Sequence, residues 1–237
     1  MTPATPEIIA QNLARVHARM LVAANRTGRD PASVRLLAVS KAQPVEALVA
    51  ARTAGQNEFG ENYLQEALAK RRDPGPLSGV IWHFIGTLQA NKTRRVAENF
   101  DWVHTVDRQI IAQRLNDQRP GEFPPLNVCI EVNLSGEASK SGIASGQLPA
   151  LVDYVARLPR LKLRGLMALP AVATDPAEQR RPFSELRQLL ATLNQRGHAL
   201  DTLSMGMSAD FEAAIMEGAT LVRLGTAIFG ARAAKRS

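Results

Sequence analysis

"VRLLAVSKAQP", residues 34–44, decides how the rest of the chain is read. From Val34 to Val39 only Arg35 carries an ionic side chain, and the branched and long apolar groups around it suit a pleated strand. A short continuous apolar run fits a strand covered on both faces, as in a parallel sheet. It ends on Ser40 and Lys41. Pro44 then opens a helical stretch, "PVEALVAARTAG", which Gly55 closes. An ammonium group therefore stands where a core strand gives way to a helix.

The same unit recurs downstream. "NEFGEN" is a short strand before the helix "YLQEALAKRR", and "VIWHFIG" a third before "LQANKTRRVAENF". "WVHTV" is the fourth, leading into "DRQIIAQRLNDQ", where Asp107 suits an N-cap. "LNVCIEVN" and "LKLRGLMAL" are strands five and six, followed by helices around "SGQLPALVDYVARLP" and "FSELRQLLATLNQRG". "TLSMG" is strand seven with helix "ADFEAAIMEG", and "TLVRLGTAIFG" is strand eight. Ahead of them, residues 6–26 carry Ile9, Leu13, Val16 and Met20 at helical spacing. Eight strand–helix units without a composition break in 237 residues predict an α/β fold. One domain, 1–237, is expected: a closed (β/α)8 TIM barrel with an extra N-terminal helix. An open doubly wound sheet is the alternative.

Bulk properties narrow the function. The net charge of +7 comes from scattered pairs, Arg71-Arg72, Arg94-Arg95 and Arg180-Arg181, mostly on predicted helices with acids nearby. No basic run is interleaved with aromatics, so solvated helix faces explain the charge and nucleic acid is not expected as a partner. No apolar run approaches the ~20 residues a membrane span needs. "MTPATPEIIAQNLARV" lacks the basic-then-apolar order of a signal peptide. Cys129 is alone, which excludes an internal disulfide and fits a buried thiol in a reducing cytoplasm. No Cys/His spacing points to zinc, and no metal is expected.

Barrel sites lie at the C-terminal ends of the strands. There the sequence puts Lys41, Asn62, His83 with Gly86, Asn133, a loop containing Lys140, "SMGMS" at 204–208, and Arg223 with Gly225 and Thr226. "SMGMS" precedes a helix whose first N–H groups are free for an anion, with Ser208 as both cap and ligand. Gly225 lets a backbone N–H approach the same anion, beside Thr226. Phosphate binding after strands seven and eight recurs in this architecture; a plain turn and helix cap is the alternative. Lysine alone has a pKa near ~10.4, but a semi-apolar pocket with a second cation nearby favours the neutral amine. Such an amine condenses with an aldehyde to a Schiff base. The cofactor that carries both an aldehyde and a phosphate is pyridoxal 5′-phosphate (PLP). Arg223, flanked by apolar residues, either pairs with a rim carboxylate or faces the pyridine nitrogen. In the second case it only donates, so the ring stays unprotonated and its electron-withdrawing power is blunted.

"AVSKAQP", "FGENYLQE", "WHFIGTLQANK", "VNLSGEASKSG", "LSMGMSADFEAAI" and "VRLGTAIFG" closely resemble the pyridoxal phosphate homeostasis proteins, single-barrel relatives of the alanine racemase N-terminal domain. The resemblance runs from about residue 7 to 232. It implies PLP on Lys41, with contacts at Asn62, His83, Ser208, Arg223, Gly225 and Thr226, and Ser204 and Met207 in the same phosphate loop. It also implies a carrier that keeps free PLP low and available to apo PLP-dependent enzymes, with no catalytic residues. A PLP-dependent amino-acid racemase, or a related Schiff-base lyase, is the alternative. Racemases on this barrel use a second base, a tyrosine from an added domain, whereas Tyr63 and Tyr154 lie in predicted helices and little chain follows "TAIFG". Lys140, in "ASKSG", is either a solvent-facing loop residue or a relay that takes the aldehyde from Lys41 by imine exchange. A monomer is expected.

Overall fold

The computed structural model describes residues 4–230 apart from 73, 74, 136, 138–140, 172 and 174. The opening helix α1 (Pro6–Asn25) buries Ile9, Leu13, Val16 and Met20, the stripe its spacing picks out. Thr5 caps it, accepting the Ile8 N–H.

The units then follow in order. First come β1 (Arg35–Val39), α2 (Val45–Thr53), β2 (Glu58–Glu61) and α3 (Leu64–Lys70). Next are β3 (Ile81–Phe84), α4 (Thr93–Asn99), β4 (Trp102–Val106) and α5 (Gln109–Gln118). The second half holds β5 (Leu126–Asn133), β6 (Ile143–Ala144), α6 (Leu148–Val155), β7 (Leu161–Met167) and α7 (Pro176–Gln195). It ends on β8 (Thr202–Ser204), α8 (Phe211–Met216), β9 (Leu221–Leu224) and α9 (Thr226–Phe229).

The strand order β4-β3-β2-β1-β9-β8-β7-β5, with β4 also paired to β5, closes a ring of eight. Every pairing is parallel. The fold is therefore the closed barrel, and the open sheet is excluded. The two-residue β6 adds to β5 outside the ring.

Side chains alternate along each strand, one set facing the helices and the next facing the barrel axis. The main apolar cluster lies between strands and helices. Two smaller clusters fill the axis: Leu37, Ile85 and Leu221 with Val39, and Trp102, Cys129 and Met167 with Ile81. No helix among the described residues is long and apolar enough to cross a membrane.

Two local expectations fail. "TLVRLGTAIFG" does not run on as a strand: β9 stops at Leu224 and "TAIF" is helix α9. Its Ile228 and Phe229 are buried, and the Ile228 carbonyl accepts from Asn12 on α1, so tertiary packing overrides β-propensity there. Thr226 is thus the first helical residue, not a strand end. Asp107 does not cap α5; Arg108 holds that position and pairs with the Asp107 carboxylate at 2.8 Å.

Candidate functional site

The turn after β1 is fixed from beneath. Ala42 sits at φ +60°, in the left-handed region that costs a Cβ-bearing residue energy. Its N–H donates to Glu66 Oε1 of α3 at 2.6 Å. Lys70, at the end of the same helix, donates to the Ser40 carbonyl, Glu61 Oε1 and Glu66 Oε1 at 2.7, 2.7 and 2.6 Å. Three ammonium protons meet three acceptors. Ser40 Oγ donates to Glu61 Oε1 as well, at 2.6 Å. Lys70 and Glu61 are both buried; burial raises the Glu61 pKa, and Lys70 is the main opposing influence. The residue this clamp presents is Lys41.

Lys41 lines a cavity of about 270 Å³ together with Asn62, Met207, Ser208, Arg223, Gly225 and Thr226. Seven of the expected site residues therefore meet in one space. The loops after β8 and β9 line the same cavity. Gly206 has φ +91°, and a Cβ there would fall 2.6 Å from the Ala214 Cβ, so the loop after β8 needs glycine. Asp210 Oδ1 accepts the Met207 N–H at 2.6 Å, and Ser208 Oγ accepts the Ala227 N–H at 3.3 Å. Ser208 thus ties two loops together; Asp210, not Ser208, holds the N-cap position of α8. Among the described residues, the backbone N–H groups of Ser208, Ala209, Gly225 and Thr226 find no acceptor in the protein. Four donors on one wall suit an anion with several oxygens.

Arg223 lines this cavity too, buried, with Nη1 on Ser204 Oγ at 2.7 Å and Nη2 on the Ala168 carbonyl at 2.9 Å. No carboxylate among the described residues is within ion-pair distance of it, which removes the rim-pair alternative. Burial lowers its pKa to about 10, with Asp210 and Glu131 pulling the other way, so it stays cationic at neutral pH.

Behind Arg223 a hydrogen-bonded chain crosses the barrel. Ser204 Oγ is 2.8 Å from His104 Nδ1, and His104 Nε2 is 2.9 Å from His83 Nδ1. His83 Nε2 then lies 3.1 Å from the Glu58 carboxylate, out of line for a straight hydrogen bond. Arg223 at one end can only donate and the Glu58 carboxylate faces His83 Nε2 at the other, so with neutral imidazoles Ser204 donates to His104 and His104 Nε2 to His83 Nδ1. Burial lowers both histidine pKa values, His104 well below the usual range.

This placement corrects two expected contacts. His83 and Ser204 are fully buried in the axis and do not line the cavity. His83 is level with Gly60 and Trp102, one inward step beneath Ile85, which does reach the cavity. Ser204 is level with Leu221, one step beneath Arg223. Both support Arg223 from below. Lys140 lies outside the described residues. Of the two tyrosines, Tyr63 is exposed ahead of α3 and Tyr154 donates to Gln113; neither lines this cavity. Burial pushes the Cys129 thiol up to about 12, an inert structural group.

A second cavity, of about 460 Å³, adjoins the first across Asn62, Ile85 and Leu169. At that wall the chain after β3 packs on the Asn62 backbone, and only glycine fits: a Cβ on Gly86 would come within 2.2 Å of the Asn62 carbonyl oxygen. Sequence reasoning missed the clamp, the His104 link and Glu131 on the second cavity. Lys70, in "ALAKRR", looks like any solvated helix lysine. His104 was legible in principle, since the alternation of "WVHTV" puts it on the same face as Trp102.

A closed parallel barrel with a lysine just past its first strand and free N–H groups after its last two fits one class, the alanine racemase N-terminal domain, whose family profile matches residues 11–233. The chain belongs, within that class, to the pyridoxal phosphate homeostasis protein family. It is 59% identical over 224 residues to the pyridoxal phosphate homeostasis protein of Pseudomonas aeruginosa, covering 94% of this chain and 96% of that one. The Escherichia coli K12 protein of the same name is 54% identical over 226 residues, covering 94% and 97%. Among solved structures, PipY of Synechococcus elongatus PCC7942 with PLP bound superposes with a TM-score of 0.82 at 37% identity, covering 94% of this chain and all of PipY. Alanine racemase from Corynebacterium glutamicum, at 19% identity and TM-score 0.71, shares the fold across 95% of this chain and 62% of its own.

Proposed function

We propose that the protein binds PLP at Lys41 and holds it as an intracellular store from which apo PLP-dependent enzymes are supplied, without turning over a substrate of its own. The observation that carries this is the shared cavity: one lysine, one buried arginine and four unpaired N–H donors face a single space. The residues present fit the cofactor. Lys41 would take the aldehyde end, and Ser208, Ala209, Gly225 and Thr226 the phosphate. Arg223 would take the ring nitrogen and Asn62 an edge of the ring.

PLP bound in this way supplies an electron-withdrawing ring, and the chain's own residues limit it. Arg223 has two N–H donors committed to Ser204 and Ala168, so its orientation is fixed, and as a cation it donates to a ring nitrogen without giving it a proton. A racemase on this barrel needs a second proton-transfer group on the opposite face, and neither tyrosine lines either cavity. In this proposal Lys140 passes the cofactor outward; if Lys140→Ala leaves both release and delivery to an apo-enzyme unchanged, that part fails.

The deciding experiment is borohydride reduction of the purified protein followed by peptide mass mapping. A pyridoxyl adduct on Lys41 is expected. An adduct on another lysine alone moves the site, and steady racemisation of L-alanine in polarimetry refutes the storage role.

A further inference from the structure

The second cavity holds a carboxyl group that no described residue serves. Glu131 lines it, is 5% exposed and accepts no hydrogen bond from any described residue. A carboxylate with this little access to water gains from a donor brought to it. Asn62, on the wall shared with the cofactor cavity, likewise has its Oδ1 buried without a donor. Two nearby donors are committed elsewhere: Thr105 gives its hydroxyl proton to the Gly86 carbonyl, and Arg223 is turned to Ser204 and Ala168. The rest of the wall includes the apolar Ile85, Leu169 and Pro170.

A carboxyl group facing the cavity beside an apolar wall suits a ligand with an N–H donor on a hydrocarbon body. We propose that this cavity binds a small aliphatic ammonium ion, its head on Glu131 and its chain against Ile85, Leu169 and Pro170. The site goes beyond PLP storage and does not depend on Lys41 carrying anything.

Charge around Glu131 sets the pH response. Burial, then the Asp107 carboxylate after β4, raises its pKa to about 7, while Arg223 of β9 draws it down. An ammonium ion favours the ionised form, so below neutrality each binding event sends a proton from Glu131 to solvent. With the ionised fraction near one-tenth at pH 6 and near nine-tenths at pH 8, affinity rises about tenfold between them.

The test is a calorimetric titration of the full chain with N,N-dimethylbutylamine, which is protonated at both pH values and cannot condense with an aldehyde. About tenfold tighter binding at pH 8 than at pH 6 is expected, with proton release seen by comparing buffers of different ionisation enthalpy. Glu131→Gln, which removes a buried charge and so should fold, is expected to flatten the pH profile and weaken binding at pH 8. n-Butanol and butyrate should bind at least tenfold more weakly. No binding, equal affinity at the two pH values, tighter binding at pH 6, or an unchanged Gln variant overturns the proposal. Borohydride labelling of Lys41, run on the same samples, is unaffected by any of these outcomes, so failure here is separable from failure of the PLP site.

Discussion

Lys70→Met is the most informative single change, because the geometry fixes both the size and the sign of its effect. The methionine fills the space of the aliphatic stem but removes three donors, those to the Ser40 carbonyl, Glu61 and Glu66. Glu61, already without a partner on Oε2, then keeps only Ser40 Oγ. Removing one member of a buried ion pair costs ~3–5 kcal/mol. The lower end applies, since Glu61 can escape by taking a proton. At roughly 2–4 °C per kcal/mol for a chain of this size, the melting midpoint falls by about 6–12 °C.

The pH dependence follows from linkage. A carboxyl whose folded pKa lies above its unfolded value favours the native state while protonated, and that contribution is lost as pH rises through the folded pKa. The Glu61 pKa is raised even with Lys70 in place, and losing Lys70 raises it further. The deficit of Lys70→Met relative to the parent is therefore smallest in mildly acidic buffer and grows as pH increases. Urea unfolding followed by tryptophan fluorescence reads it directly, since Trp82 and Trp102 are both buried. The double variant Glu61→Leu/Lys70→Met should be more stable than Lys70→Met alone, with a coupling above about 1 kcal/mol. If Lys70→Met lies within about 0.5 kcal/mol of the parent at every pH, or the two changes simply add, the clamp beneath Lys41 is not what holds that turn.

Three further outcomes are expected. Ser204→Ala leaves both Arg223 Nη1 and His104 Nδ1 without a partner in the axis and should cost ~1–3 kcal/mol in denaturant unfolding, whereas a cost near zero would mean that water replaces the hydroxyl. His83 and His104, with lowered pKa values, should stay neutral in the native protein below the usual histidine midpoint; stability then falls as pH drops beneath the unfolded histidine pKa, and imidazole resonances that titrate normally in NMR would contradict the proton chain. Cys129, pushed up to about 12 and buried, should ignore a thiol reagent at pH 8 in the folded protein and react only on denaturation.

The sequence by itself determined the barrel, because strand and helix periods are local signals and eight repetitions leave few ways to close. It also put Lys41, Met207, Ser208 and Gly225 at the barrel rim, where they line one cavity, since the end of an apolar run marks the rim in any such fold. It erred where depth matters. His83 and Ser204 fall in the right strands, but the register of parallel neighbours sets each of them one inward step too low to reach the cavity. The strand expected through "TAIFG" is a helix because of what α1 packs against it, which no window of sequence contains. Lys70 joins Ser40 across thirty residues, and Ser204 joins His104 across one hundred. Partnerships over such distances depend on barrel closure, so only the tertiary structure decides which charged and polar side chains are buried together.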